Sequence, residues 1–397
     1  RIFEFDAVTI KTSEFDTMDT TADNVGTELY NENGIRIVGK TVDEDSFWGA
    51  AILLYCENTT GKNVSLYVDE MSINGFMMTP YFYTTIYDQK KSIDDIRKQT
   101  FTDWELICVN DGSTDSTLDI INSYNDNRIR LINQKNIGLG ASRNKAMKLA
   151  RGEYVAFLDG DDWFRSDALE IAYSEAKSQN TDITIFQIKY FDDETGEFSD
   201  NDWFNLNSFD ESFDNRTFNP DECSSFLFDL SVNACQKIYR NEFLSQSGAE
   251  FVEGIFFEDM PFFFEIFLKA KRISIIRKHL YYHRKHSKSI TDVIDCDYLD
   301  TVPAGQELMR RFINNGFYED YKFDLLAYKI NGPRFALSQI VDKCKEPLFD
   351  LIHEDYLQIK DSIYYDDFLN ELGPVKRKFF LDVIKSQSYG EFTSIDG

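Results

Sequence analysis

Between Trp104 and Leu158 strand-like apolar runs alternate with sharp turns and helical stretches, and this rhythm constrains the fold more than any other feature. Trp104 to Val109 reads as a strand, Asp111-Gly112-Ser113-Thr114-Asp115 as a turn and Ser116 to Tyr124 as a helix. Arg130-Leu131-Ile132 is a second strand and Asn136 to Gly140 a Gly-rich loop. Ala141 to Ala150 is a helix ended by Gly152, and Tyr154 to Leu158 is a third strand. Units of this length predict an α/β domain with a mainly parallel sheet. Ligands in such sheets sit beyond the carboxyl ends of the strands, where Asp111 and Asp159 both fall.

The residues before this domain have a different texture. Phe3 to Ile10, Ile35 to Val38, Ala50 to Tyr55, Val64 to Val68 and Phe76 to Ile86 read as strands. Turn signals at Asn31 to Gly34, Asn58 to Asn63 and Asn74-Gly75 separate them. That spacing predicts an immunoglobulin-like all-β sandwich. Residues 191 to 220 are acidic and aromatic without periodicity and predict a long surface loop, while Tyr321 to Ile330 and Val375 to Ile384 predict helices. The expected division is a β-sandwich over 1–96, an α/β domain over 97–295 and a helical region over 296–397.

Composition narrows the function classes. A chain of 397 residues with 15% aromatics supports two or three packed cores. No run approaches the roughly 18 to 20 apolar residues of a membrane span, and the first residues show no leader pattern. Six scattered cysteines without a CxxC pair argue against a zinc site and for reduced thiols in a cytosolic protein. The expected location is cytoplasmic, with peripheral contact at the inner face of the membrane as the variant. Asn58-Thr59-Thr60 and Asn63-Val64-Ser65 fit a glycosylation pattern that is common by chance. A net charge of −27 disfavours nucleic acid as a partner, and any anionic substrate would need a local cation to overturn the global field.

The chemistry concentrates in Phe157-Leu158-Asp159-Gly160-Asp161-Asp162-Trp163. Three crowded carboxylates repel one another unless a cation or strong hydrogen bonds satisfy them. Oxygen ligands select hard ions such as Mg²⁺ or Mn²⁺, while a solvated acidic turn capping the next helix accounts for the same residue types. A calcium loop is excluded, because Trp163 stands where a ligand should be. Gly138-Leu139-Gly140 is not a dinucleotide fingerprint, since Arg143 holds the place of the third glycine.

These segments form an ordered series. Gln99-Thr100-Phe101, Val109 to Asp115, Asn136-Ile137-Gly138-Leu139-Gly140-Ala141-Ser142-Arg143-Asn144 and Leu158 to Trp163 closely resemble the nucleotide-binding half of glycosyltransferase family 2, over roughly 97 to 190. Ala234 to Tyr239, Glu253 to Asp259 and Leu280-Tyr281-Tyr282-His283-Arg284 extend the resemblance to about 291. The resemblance implies a GT-A-type, Rossmann-like domain. It assigns Asp111, with Gly112 and Ser113, to the nucleotide base, and Arg143, Asp159, Gly160 and Asp161 to the donor. Asp161, with Asp159 and His283, would hold Mn²⁺ or Mg²⁺ against the donor's diphosphate. Asp259 of the Glu258-Asp259 pair would be the general base. For Asp111 a turn-forming aspartate, for Asp259 a helix-capping acid and for His283 a packed histidine are the plain alternatives.

One element of the family pattern has no counterpart. Family members open with an apolar strand and a helix leading into Gln-Thr-Phe; here the helix before Gln99 is short and the preceding residues read as sandwich strands, as if two truncated domains were fused near Ile96. The expected function is metal-dependent, inverting hexosyl transfer from a UDP-sugar to a saccharide or lipid-linked hydroxyl in surface-polysaccharide synthesis. The alternative is a non-catalytic binding or surface protein with a remnant transferase domain.

Overall fold

The computed structural model describes residues 27–32, 35–43, 51–58, 64–67, 71–73, 76–78, 83–86, 91–192, 195–200, 204–285 and 295–395. Two compact units divide the chain, residues 1–98 with 106–136 and residues 99–105 with 137–397.

In the first unit, β1 (Thr27–Glu32), β2 (Ile35–Asp43) and β3 (Ala51–Asn58) form an antiparallel sheet with Val38 fully buried. Next come β4 (Val64–Tyr67), β5 (Met71–Ile73), β6 (Phe76–Met78) and β7 (Tyr83–Ile86), with β4 antiparallel to β7 and β5 to β6. The single strand expected over 76–86 is thus two strands with different partners. The strand expected at 3–10 and most residues of the three expected turns lie outside the described residues. Helix α1 (Lys91–Arg97) buries Ile93 and Ile96 and is only two turns long. β8 (Leu106–Asp111), α2 (Thr117–Asn122) and β9 (Ile129–Gln134) then form one right-length crossover, with β8 and β9 parallel from Leu106↔Ile129 to Asp111↔Gln134.

The second unit is built on a mixed sheet. Its elements are α3 (Leu139–Leu149), β10 (Tyr154–Ala156), β11 (Trp163–Phe164), α4 (Ala168–Gln179), β12 (Ile183–Asp192), β13 (Phe198–Ser199), β14 (Lys237–Arg240), α5 (Asn241–Ser247), α6 (Asp259–Lys269) and β15 (Ile273–Lys285). The strand order is β10-β14-β12-β15-β11, with β13 on the end of β12. Only β12 and β15 run parallel; every other neighbouring pair in this sheet is antiparallel. This corrects the mainly parallel sheet expected from the strand–helix rhythm: among the described strands parallel pairing is found between β8 and β9 and between β12 and β15.

Local sequence explains the elements. Ala168, Ala172 and Ala176 recur every four residues and are the buried stripe of α4, which ends on Asn180 in the left-handed region. β12 is central, so Ile183, Ile185, Phe186 and Ile188 are all buried. In α6, Phe262, Phe263, Phe264, Ile266 and Phe267 have essentially no exposure, as an apolar helix enclosed by protein requires.

Residues 204–218 overturn the surface loop expected there. Phe204, Leu206, Phe209, Phe213 and Phe218 are buried, and Phe209, Phe213 and Phe218 meet one another at ring distances of 4.9 to 5.4 Å. Aromatic burial outweighs the absence of regular periodicity.

The chain continues in α7 (Thr301–Asn314), α8 (Tyr318–Gln339), α9 (Asp342–Lys360), α10 (Tyr365–Asn370), α11 (Pro374–Lys385) and α12 (Tyr389–Ile395). Buried Lys329 and Asp355 pair at 2.9 Å between α8 and α9, and Gln306 donates to the same carboxylate. A 3₁₀ turn, Cys296–Asp300, precedes α7, and Cys296 is disulfide-bonded to Cys344 of α9. The expectation of reduced thiols fails for this pair, whose Cα atoms lie 5.5 Å apart; Cys108, Cys223 and Cys235 are free. Among the described residues no helix is long and apolar enough to cross a membrane.

Candidate active site

In the second unit the acidic turn leaves β10 through Phe157, whose ring packs edge-on against Tyr239, Phe251 and Phe262. The three carboxylates of the turn then take different environments, which relieves the repulsion expected of them. Asp159 is about one-third exposed and forms an ion pair with Arg143 at 2.8 Å. Asp161 is exposed. Asp162 is only 1% exposed and accepts hydrogen bonds from the Tyr281 hydroxyl at 2.6 Å and the Arg284 backbone N–H at 2.8 Å. His283 Nδ1 lies 3.0 Å from the same carboxylate.

Tyr281 holds both ends of the turn, because its hydroxyl oxygen also accepts the Asp159 backbone N–H at 3.2 Å. The pairing of β11 with β15, Trp163↔Tyr282 and Phe164↔Tyr281, brings these groups together. Burial pushes the Asp162 carboxyl up, against the opposing pull of His283. Burial lowers the His283 imidazole, but Asp162 outweighs that effect and leaves it raised.

Arg143 projects from α3 and joins two stretches far apart in sequence. Its guanidinium bonds Asp159 on one side and Glu258 on the other, at 2.8 and 2.6 Å, and lies 5.3 Å from the Phe251 ring. The Arg143 side chain is 10% exposed, and burial acts to lower its pKa, but Asp159 and Glu258 keep it charged. Burial raises Asp159, yet the guanidinium wins and holds that carboxyl below its ordinary value.

The approach of α3 to the Glu258 segment requires Gly140. A Cβ there would stand 2.2 Å from the Val252 carbonyl oxygen and 3.3 Å from Glu258 Cβ. One turn on, buried Asn144 donates to the Phe251 carbonyl at 2.9 Å and accepts the Phe251 N–H at 2.8 Å, satisfying both backbone groups as a neighbouring strand would.

Glu258 and Asp259 begin α6 immediately after Phe257, whose φ of 67° lies in the left-handed region. Glu258 is buried and Asp259 half-buried. Burial raises Glu258 against the pull of Arg143. Burial and then the neighbouring Glu258 push Asp259 up to about 7. Behind them Lys237 is buried, donating to the carbonyls of Ser231 and Asn233 at 2.9 and 2.6 Å, with its pKa lowered by burial to about 7.

The other expected donor residues belong to the first unit. Asp111 ends β8 and accepts from Gln134 Nε2 at 2.9 Å. The turn is closed by Asn110, whose Oδ1 accepts the Ser113 N–H at 3.2 Å. Gly112 has φ 79° and faces Asn136, where a Cβ would meet a backbone nitrogen at 2.8 Å, so the turn admits only glycine.

The structure thus brings Arg143, Asp159, Glu258 and Asp259 into one electrostatic cluster, with His283 acting on Asp159 and Asp161 on His283. Asp162, Tyr281 and Asn144 support it and carried no separate expectation. Among the described residues no three His, Cys, Asp or Glu side chains form a self-contained metal cage. Mg²⁺ and Mn²⁺ do not need one where substrate phosphates and water complete the shell. Asp161, which is exposed, could offer a hard oxygen, and His283, with Nδ1 3.0 Å from the Asp162 carboxylate, could turn Nε2 to a cation.

The sequence model of glycosyl transferase family 2 matches residues 90–233. EpsH of Bacillus subtilis (strain 168) is 30% identical over 253 residues, covering 61% of this chain and 70% of EpsH. The poly(ribitol-phosphate) beta-glucosyltransferase of Bacillus spizizenii is 34% identical over 201 residues, 48% of this chain and 29% of that protein. The crystal structure of S. aureus TarS 1-349 with UDP-GlcNAc aligns over 70% of this chain and 88% of that one, with 22% identity and a TM-score of 0.43.

Proposed function

Since this chain belongs to glycosyltransferase family 2, we propose that it moves a hexosyl group from a UDP-sugar to a hydroxyl of a saccharide or lipid-linked acceptor in surface-polysaccharide synthesis. The observation that carries the reading is the Arg143 bridge, which joins the Asp159 turn to the Glu258-Asp259 pair, with Arg143 and Glu258 115 positions apart in sequence. A donor site and a proton acceptor must be neighbours for a single-displacement, inverting transfer, and this bridge supports that reading.

In the mechanism Asp259 takes the proton from the acceptor hydroxyl as that oxygen attacks the anomeric carbon. Its raised pKa suits it to hold a proton near neutral pH. Arg143 opposes the burial that raises Glu258 and would hold Asp159 toward the donor. Asp111, Gly112 and Ser113 would receive the base, and Asp159, Gly160 and Asp161 the sugar diphosphate. Asp161 and His283, with Asp159 in support, would hold Mn²⁺ or Mg²⁺. When bound, such an ion supplies Lewis-acid stabilisation to the departing nucleoside diphosphate. Residues 1–96 we read as an immunoglobulin-like sandwich, on the strength of their antiparallel strand pairs.

The test is transfer from a panel of UDP-sugars with Mn²⁺, measured for the wild type, Asp161→Ala and Asp259→Asn. Loss of turnover in both variants is expected. Equal rates in the wild type and Asp161→Ala would remove the metal role, and no metal-dependent UDP binding by calorimetry would favour a remnant domain.

A further inference from the structure

Three aromatic side chains beside Asp259 do not join the core. Phe251, Phe262, Phe263, Phe264 and Phe267 in the same region are at most 2% exposed, whereas Phe256, Phe257 and Tyr298 are each partly exposed. They nevertheless form one cluster. Phe256 and Phe257 meet edge-on at 4.6 Å between centroids, Phe257 and Tyr298 edge-on at 5.2 Å, and Phe256 and Tyr298 lie 6.3 Å apart.

The backbone that presents them is held in an unfavourable shape. Phe257 occupies the left-handed region, where a bulky side chain is an outlier, and Gly254 three residues earlier has φ 77°. Such a conformation persists only where the surroundings over-determine it, and it gathers at ligand sites. Here the Asp300 carboxylate accepts the Phe256 N–H at 2.7 Å, and the Phe257 carbonyl accepts the Met260 N–H at 3.3 Å. Asp300 and Tyr298 share the 3₁₀ turn that the Cys296–Cys344 disulfide fastens to α9. Two segments some forty residues apart are therefore locked together to expose apolar rings two residues before the candidate base.

We infer that Phe256, Phe257 and Tyr298 form the platform on which a sugar ring of a saccharide acceptor lies while its hydroxyl faces Asp259. The inference rests on the transferase reading of Asp259 and adds the acceptor side to it. A pyranose presents an apolar C–H face and a polar rim. Rings beside carboxylates match both parts, and here Glu258 and Asp259 follow Phe257 directly while the Asp300 carboxylate accepts the Phe256 N–H.

The experiment uses the full chain with UDP-glucose, UDP-galactose or UDP-GlcNAc as donor and p-nitrophenyl mono- and disaccharides as acceptors, comparing wild type, Tyr298→Ala and Tyr298→Phe. Tyr298→Ala should raise the acceptor KM about tenfold with the donor KM held, and Tyr298→Phe, which keeps the ring, should restore it. Saturation-transfer NMR of the same saccharides, with thermal melts of each variant, reads binding without turnover. An unchanged acceptor KM in Tyr298→Ala, a parallel rise in donor KM, or equal NMR signals in wild type and Tyr298→Ala overturns the platform. A wild type that binds these saccharides through Tyr298 yet transfers nothing would retain the platform and sink the transferase reading instead.

Discussion

A carboxyl raised to about 7 changes charge in the range where a transferase must accept protons, and Asp259 is such a group. The base works only when ionised, so kcat/KM should climb as pH rises through about 7 and level off above it. Asp259→Asn should erase that limb and lower kcat by about 10² to 10⁴-fold, which rate–pH profiles of both proteins would check. Gly140 supports a second prediction. Any Cβ there strikes the Val252 carbonyl, so Gly140→Ala should cost about 1 to 3 kcal/mol in urea unfolding by forcing α3 off the Glu258 segment. Arg143, Asp159 and the Glu258-Asp259 pair were legible in the sequence because each sits in a compact motif. The contact of Asp162 with Tyr281 was not. Their side chains stand 119 positions apart and meet only through the register of β11 on β15, which no local pattern encodes.

At the scale of elements, the acidic turn owes its shape to β15. Tyr281 donates to the Asp162 carboxylate and accepts the Asp159 N–H, so Tyr281→Phe leaves a buried carboxylate short of one partner. A loss of about 1 to 3 kcal/mol is expected, measurable by chemical denaturation, together with a larger fall in donor affinity than in fold content by circular dichroism. The strands β8, β9 and β10 and the helices α2, α3, α8 and α11 follow from apolar runs and length. Strand direction does not. The rhythm of strand, turn and helix fits a parallel crossover such as β8–α2–β9, but β10 and β14 pair antiparallel through residues 82 to 86 positions apart, from Ala156↔Ile238 to Tyr154↔Arg240. Direction there is set by long connections whose path the sequence does not display.

For the whole molecule, the disulfide closes a separation of 48 residues between the turn before α7 and α9. Loop-closure entropy for that length is worth about 4 kcal/mol. Treatment with a dithiol reductant should lower the unfolding free energy by an amount of that order, with Cys344→Ala matching the reduced wild type in the same denaturation assay. Neither partner was distinguishable among six scattered cysteines, since proximity arises only when the helices pack. The acidic stretch before β14 misled for a related reason: Phe204, Phe209, Phe213 and Phe218 lack a period because they fold onto one another rather than onto a regular element.

That compaction has a consequence for digestion. Arg216 carries a bond trypsin would cut, yet its guanidinium reaches back to the Ser212 carbonyl, pairs with Glu222 and covers the Phe213 ring at 4.9 Å. A protease needs the chain drawn out through its cleft, and drawing this segment out would uproot several phenylalanines at once. The peptide after Arg216 should therefore survive in the native molecule and be severed promptly once the fold is lost.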